Sequence, residues 1–148
     1  MQDQDSIELD LRLFRVWRNA SKAVIENIRK DIESHKISAE NFMTLELLFN
    51  KGPHPVQKIS EKLSIPSGSI TYVVNKLEQK KLVERKPNPT DQRAFDVHLT
   101  EEGRILFAEL FPKHVEKISQ NFAFISNQEK EQLIELLKKI GLGSQNIK

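Results

Sequence analysis

The stretch that most constrains this chain is Leu77 to Gly103, LEQKKLVERKPNPTDQRAFDVHLTEEG. It reads as the end of a helix, a strand, a turn, a second strand and the start of another helix. Leu82-Val83 opens the first strand. Phe95, Val97 and Leu99 alternate with Ala94, Asp96 and His98, the period of a half-buried strand. Between the strands, Lys86-Pro87-Asn88-Pro89-Thr90-Asp91 is turn chemistry: proline sets φ, and Asn and Asp side chains bond their own backbone. A basic hairpin placed directly after a helix–turn–helix pattern is the arrangement of a winged DNA-binding module.

The flanking segments are helical. Leu13, Trp17, Ala20, Val24 and Ile28 recur at steps of three and four and predict one apolar stripe on a long helix over 6–34. Ser38 is an N-cap for a helix to about Asn50, with Phe42, Leu45, Leu48 and Phe49 apolar. Lys51-Gly52-Pro53-His54-Pro55 breaks it. A short helix over about Val56 to Leu63, the turn Ser64-Ile65-Pro66, and a helix over about Ser67 to Lys80 follow. After the hairpin, Thr100 caps a helix that Pro112 should kink. Ser126 and Glu129 have capping-box spacing and open a last helix, which Gly141 and Gly143 should stop, leaving the last five residues frayed.

The expected fold is therefore mainly α with a small β-wing, a winged helix-turn-helix flanked by N- and C-terminal dimerisation helices. The whole chain, 1–148, is expected to form a single domain. Within it, 38–100 is the winged-helix region, and 6–34 and 101–141 are the helical dimerisation region. The first and last helices carry apolar stripes for which one chain has little core to offer. A homodimer interface follows, with an intramolecular bundle as the rival.

Charge agrees with a polyanion partner only after division. The net charge of +2 is uninformative, but residues 51–100 hold nine Lys and Arg against five Asp and Glu, an excess of four. Residues 1–50 stand at −2 and residues 101–148 at zero. Phosphate neutralisation drives binding at such basic patches. No apolar run approaches the roughly 18 residues of a membrane span, and the acidic MQDQDSIELD start lacks a signal pattern, so a cytoplasmic location is expected. The chain has no Cys, which excludes disulfides and thiol chemistry.

The candidate DNA contacts fall on the helix at 67–80 and on the hairpin. Ile70, Val73, Val74 and Leu77 face the core. Ser67, Gly68, Ser69, Thr71, Tyr72, Asn75 and Lys76 are left outward. Small polar residues at the N-terminal end let the backbone and the helix dipole approach phosphates. Asn75 suits adenine, and Thr71 or Tyr72 a thymine methyl or a phosphate. Arg85, Lys86 and Arg93 flank the hairpin turn, where an Arg on the tip can enter a minor groove. Asp91 in such a loop is expected to accept a turn N–H or to pair with a neighbouring Arg.

LVERKPNPTDQRAFDVHLTEEG resembles the wing signature of the MarR family of bacterial transcription regulators, with its Gly-Leu-Val start, Asp-Arg-Arg core and Leu-Thr-x-x-Gly end. The similarity extends back through IPSGSITYVVNKLEQKKL to the first helix and forward through the last two. The resemblance implies a homodimer of winged-helix subunits on double-stranded DNA with a palindromic operator. It further implies repression relieved by a small, often phenolic or aromatic, effector near the dimerisation–DNA-binding junction. By the same resemblance Arg93 takes the minor-groove role and Asp91 the wing-stabilising role. The chain departs from the pattern where Gln92 replaces the middle Arg and Lys81 replaces a Gly. Ser67 and Tyr72 stand where many members carry Arg.

Other chemistries find little footing. His35, His54, His98 and His114 have no metal-ligand spacing, and neither a phosphate-binding Gly-rich loop nor a nucleophile elbow is present. The expectation is no enzyme activity, no cofactor and no metal. Trp17, Phe42, Leu45, Phe107 and Phe111 are candidates to line an effector pocket between the first, second and fifth helices, with plain core packing as the competing reading. The alternative function is a winged-helix activator or architectural factor without an effector. A purely protein-binding winged helix is opposed by Arg93 and the local charge excess.

Overall fold

A computed structural model describes residues 3–148; Met1 and Gln2, which open the acidic N-terminal stretch, lie outside them. The order is α1 (Gln4–Ser34), α2 (Ala39–Lys51), β1 (His54–Pro55), α3 (Val56–Leu63), α4 (Ser67–Gln79), β2 (Val83–Pro87), β3 (Phe95–Leu99), α5 (Glu101–Asn121) and α6 (Asn127–Gln145). This is the mainly helical architecture with a small wing that the sequence predicts. Three of the expected caps are formed. Ser38 Oγ accepts from Asn41 N–H, Thr100 Oγ1 accepts from Gly103 N–H, and Ser126 with Glu129 forms a complete capping box.

The core sits between α2, α3, α4, α5 and the sheet. Leu45, Ile59, Ile70, Val74, Leu77, Val97 and Phe107 are fully buried in it. Of α1, only Ile32 is buried, while Leu13 and Trp17 are about half exposed, at 55% and 49%. No residue of α6 is buried. An Asn27 to Asn121 side-chain hydrogen bond of 3.0 Å ties α1 to α5.

Three local expectations need correction. The breaker before α3 contains a short edge strand, β1, which pairs with β3 through His54–Val97 and Pro55–Asp96 and makes a three-stranded sheet of order β1-β3-β2. Two residues are too few for a periodicity, and Pro55 is tolerated because β1 is an edge. The alternation in β3 is broken: Phe95 is 51% exposed and Asp96 is buried. Phe95 lies at the tip end of the hairpin, opposite Pro87, past the last core residue of that strand face, Val97. Pro112 lies inside α5, as expected, and the helix runs on to Asn121.

Gly141 and Gly143 do not stop α6, which runs on to Gln145, so part of the expected frayed tail is helical. Both glycines have open space where a Cβ would be, and each costs a helix only about 1 kcal/mol relative to Ala.

Candidate nucleic-acid interface

The turn between α3 and α4 is locked by residues that the expected contact set does not contain. Ser64 adopts a left-handed conformation at φ 54° and closes α3. Buried Ser60 donates its hydroxyl to Ile65 O at 2.5 Å, and Ile65 N–H returns a bond to Ser60 O at 3.1 Å. Pro66 then starts α4 with no side-chain cap, and the first helical bond runs from Ile70 N–H to Pro66 O. The N–H groups of Ser67, Gly68 and Ser69 precede that bond and lie at the positive end of the helix dipole, where anions are favoured. All three residues are exposed.

Farther along α4, Thr71, Tyr72, Asn75 and Lys76 are also exposed, while Ile70, Val73, Val74 and Leu77 are buried as expected. Thr71 donates its hydroxyl to Ser67 O, which leaves the methyl as its apolar contact group. Lys76 Nζ lies 5.5 Å from the Tyr72 ring centroid, a cation–π arrangement that keeps the aromatic ring within the basic surface.

The wing is a ladder of five antiparallel pairs from Val83–Leu99 to Pro87–Phe95. Its three basic side chains are not equivalent. Lys86 pairs with Glu84 at 3.1 Å on the surface. Arg85 turns to α4, donating to Glu78 Oε1 at 2.6 Å and to Asn75 Oδ1 at 2.8 Å, rather than flanking the turn as an outward contact. Arg93 is exposed at the tip and makes no ion pair among the described residues.

The tip is organised by a residue absent from the predicted contact set, Asn88. Its Oδ1 accepts from Thr90 N–H at 2.9 Å, Thr90 Oγ1 at 2.8 Å and Asp91 N–H at 3.1 Å. Its Nδ2 donates to both carboxylate oxygens of buried Asp96. Asp91 Oδ1 accepts from Arg93 N–H at 3.0 Å, the first of the two roles expected of it. The Asn between two prolines was the available signal for Asn88.

The base of the wing is built around the Gly replacement. Lys81 adopts φ 63°, and Leu82 N–H bonds Leu77 O across the helix end. Thr100 Oγ1 donates to Lys81 O at 2.7 Å, and Thr100 N–H donates to Leu82 O. Gly103 lies against the same carbonyl: a Cβ there would be 2.1 Å from Leu82 O. The Leu-Thr-x-x-Gly end of the motif is thus the seat on which α4, β2 and α5 meet.

The five candidate effector-pocket residues do not gather. Phe42, Leu45 and Phe107 are core, with the Phe42 and Phe107 rings 5.2 Å apart and Phe111 5.6 Å from Phe107. Phe49 joins them, 5.0 Å from Phe107. Trp17 stands apart, in an apolar groove of about 750 Å³ lined by α1 and α6. The buried His114 ring lies tilted against Phe42, centroids 4.5 Å apart, with Nε2 3.5 Å from Glu46, and its Nδ1 has no hydrogen-bond partner among the described residues. Among the described residues no group of three or more His, Asp or Glu side chains is placed to hold a metal ion, and no helix is long and apolar enough to cross a membrane.

A model of the MarR family matches residues 37–95, from the loop after α1 to the start of β3. The HTH-type transcriptional regulator MhqR of Bacillus subtilis (strain 168) is 41% identical, over 93% of this chain and 94% of the relative. The HTH-type transcriptional repressor MdtR of the same strain is 25% identical, over 93% and 86%. Among solved structures, Bordetella bronchiseptica BpsR, whose DNA binding is regulated by 6-hydroxynicotinic acid, superposes with a TM-score of 0.73 at 26% identity, covering 86% of this chain and 91% of that one. The exposed polar row of α4, the Asn88-organised wing and these likenesses agree: the chain belongs to the MarR family and is a DNA-binding transcriptional regulator, not an enzyme.

Proposed function

We propose that two copies of the chain form a repressor that reads a pseudo-palindromic operator. The two α4 helices enter successive major grooves about 34–36 Å apart, and Arg93 of each wing enters the flanking minor groove. The observation that supports this reading is the row Ser67, Gly68, Ser69, Thr71, Tyr72, Asn75 and Lys76. It is polar and exposed, starts at an uncapped helix N-terminus, and is held beside the wing through Arg85. The uncovered apolar groove of α1 and α6 is the surface offered to the second copy. Such a regulator acts where the DNA is, in the cytoplasm.

Repression is supported by the likeness to MdtR, and control by a small hydroxylated aromatic molecule by the likeness to BpsR. The ring-to-ring packing of Phe42, Phe49, Phe107 and Phe111 favours a second reading, a DNA-binding factor without an effector, because such a core has to loosen before it admits a ligand.

An operator selected from random duplexes, titrated by fluorescence anisotropy, tests both layers. Asn75→Ala and Thr71→Ala should weaken the selected duplex more than a random one; equal losses would mean that α4 does not read bases. A panel of phenolic acids and quinones should release the operator and raise the melting temperature of the free protein. Release by none of them would favour the factor without an effector.

A further inference from the structure

Arg85 is a basic wing residue that faces the protein rather than outward. Nη1 donates to Glu78 Oε1 at 2.6 Å and Nη2 donates to Asn75 Oδ1 at 2.8 Å. The two acceptors are three residues apart on α4 and so share one face of the helix. A planar guanidinium fork bridges such a pair in one geometry, which a lysine ammonium on a flexible stem does not reproduce. The Glu78 carboxylate also neutralises the guanidinium, leaving little of its charge for a phosphate.

The contact fixes the sense of the Asn75 amide. A guanidinium has donors only, so the Asn75 atom that meets it is the oxygen; turning the amide over would set NH2 against N–H. Oδ1 is therefore directed at the wing strand. Nδ2 carries two N–H donors and makes no hydrogen bond among the described residues. Asn75 is exposed on the outward row of α4, between Tyr72 and Lys76.

We propose that Arg85 is a positioning residue that holds Asn75 as a hydrogen-bond donor toward DNA, so that base preference at one position of each half-site depends on a strand that does not touch that base. The inference rests on the reading of α4 as the groove-entering helix. A free asparagine amide presents either its donor or its acceptor. A held one favours major-groove acceptors, purine N7, guanine O6 or thymine O4, over the amino group of cytosine. In the adenine contact expected of Asn75, Nδ2 then meets N7, while Oδ1 has only its second lone pair left for the adenine amino group.

The test compares wild type, Arg85→Lys, Asn75→Ala and the double variant on the selected operator and on a random duplex, at several salt concentrations. Arg85→Lys should weaken the operator roughly tenfold, the scale of one good base contact. The random duplex and the salt slope should be unchanged, and the loss should vanish in the Asn75→Ala background. Repeating the selection with Arg85→Lys should relax the same base pair that Asn75→Ala relaxes.

With Arg85→Ala, a uniform loss on both duplexes and a salt slope lower by about one would make Arg85 a phosphate contact and overturn the proposal. Wild-type behaviour of Arg85→Lys beside a relaxed Asn75→Ala would defeat the positioning role alone. An Asn75→Ala variant with unaltered specificity would instead defeat the reading of α4. Circular dichroism confirms that each variant is folded.

Discussion

Arg93 and Asp91 sit two residues apart in the wing and do opposite things. Arg93 projects its charge; Asp91 directs its carboxylate back to the Arg93 N–H at 3.0 Å. Arg93→Ala should weaken operator binding by about 1–3 kcal/mol and lower the salt slope by about one unit. Asp91→Ala should weaken binding as well, although it removes a negative charge. Electrostatics alone gives the opposite sign, so tighter binding by Asp91→Ala in an anisotropy titration would make the residue a bystander. Lys81 is a second residue-scale device. A β-carbon in the left-handed region costs roughly 1–2 kcal/mol, and Lys81 holds φ 63° where the family pattern has Gly. Lys81→Gly should stabilise the fold by about 1 kcal/mol in urea denaturation, since the extra chain entropy of Gly offsets part of the relief.

Among the elements, α6 depends most on its own local chemistry, because none of its residues is buried in the single chain. Its capping box is reciprocal: Ser126 Oγ accepts from Glu129 N–H, and Glu129 Oε1 accepts from Ser126 N–H at 2.9 Å. The Ser126 backbone N–H, and then its hydroxyl, hold the Glu129 carboxyl below its ordinary value. A carboxyl lowered in the folded state contributes stability above its unfolded pKa and loses it as pH falls through the folded one. The start of α6 should therefore fray on acidification below the usual carboxylate range, while Glu129→Gln should remove that dependence. Amide hydrogen exchange at Asn127–Lys130 would reveal it, and equal pH dependence in both proteins would sink the idea. The α4–β2 corner behaves differently, being held from a distant part of the chain: Thr100 bonds the Lys81 and Leu82 carbonyls, and Gly103 lies directly on the latter.

At the scale of the whole molecule, the reading head is a closed core and the two terminal helices are not. Leu13, Phe14 and Trp17 of α1 face Leu133, Leu136, Leu137 and Ile140 of α6 across the apolar groove. This patch is the surface that the proposed dimer would cover. Leu133→Asp with Leu137→Asp should dissociate the assembly or unfold it, because a buried unpaired charge is costly. Light scattering should report a dimer for the wild type at micromolar concentration; a stable wild-type monomer would refute the dimer.

Local signals in the chain determined most of the elements. The 3.6-residue stripes placed α1, α4 and α5, side-chain caps placed the starts of α2, α5 and α6, and turn residues placed the hairpin, because each of these depends on neighbours within a few positions. Glycine was a weaker guide: Gly141 and Gly143 resemble stops, but an exposed helix tolerates them. The family pattern also carried the function, through Asp91, Arg93 and the Leu-Thr-x-x-Gly seat. Tertiary structure alone decided which polar groups meet across the sequence. It paired Arg85 with Asn75 and Glu78, set Asn88 over buried Asp96, gave β3 a second neighbour in β1, and separated Trp17 from Phe42, Leu45, Phe107 and Phe111. Periodicity tells which face of an element is apolar. Which partner that face meets is set by the packing of distant elements around one core, and that information is not local.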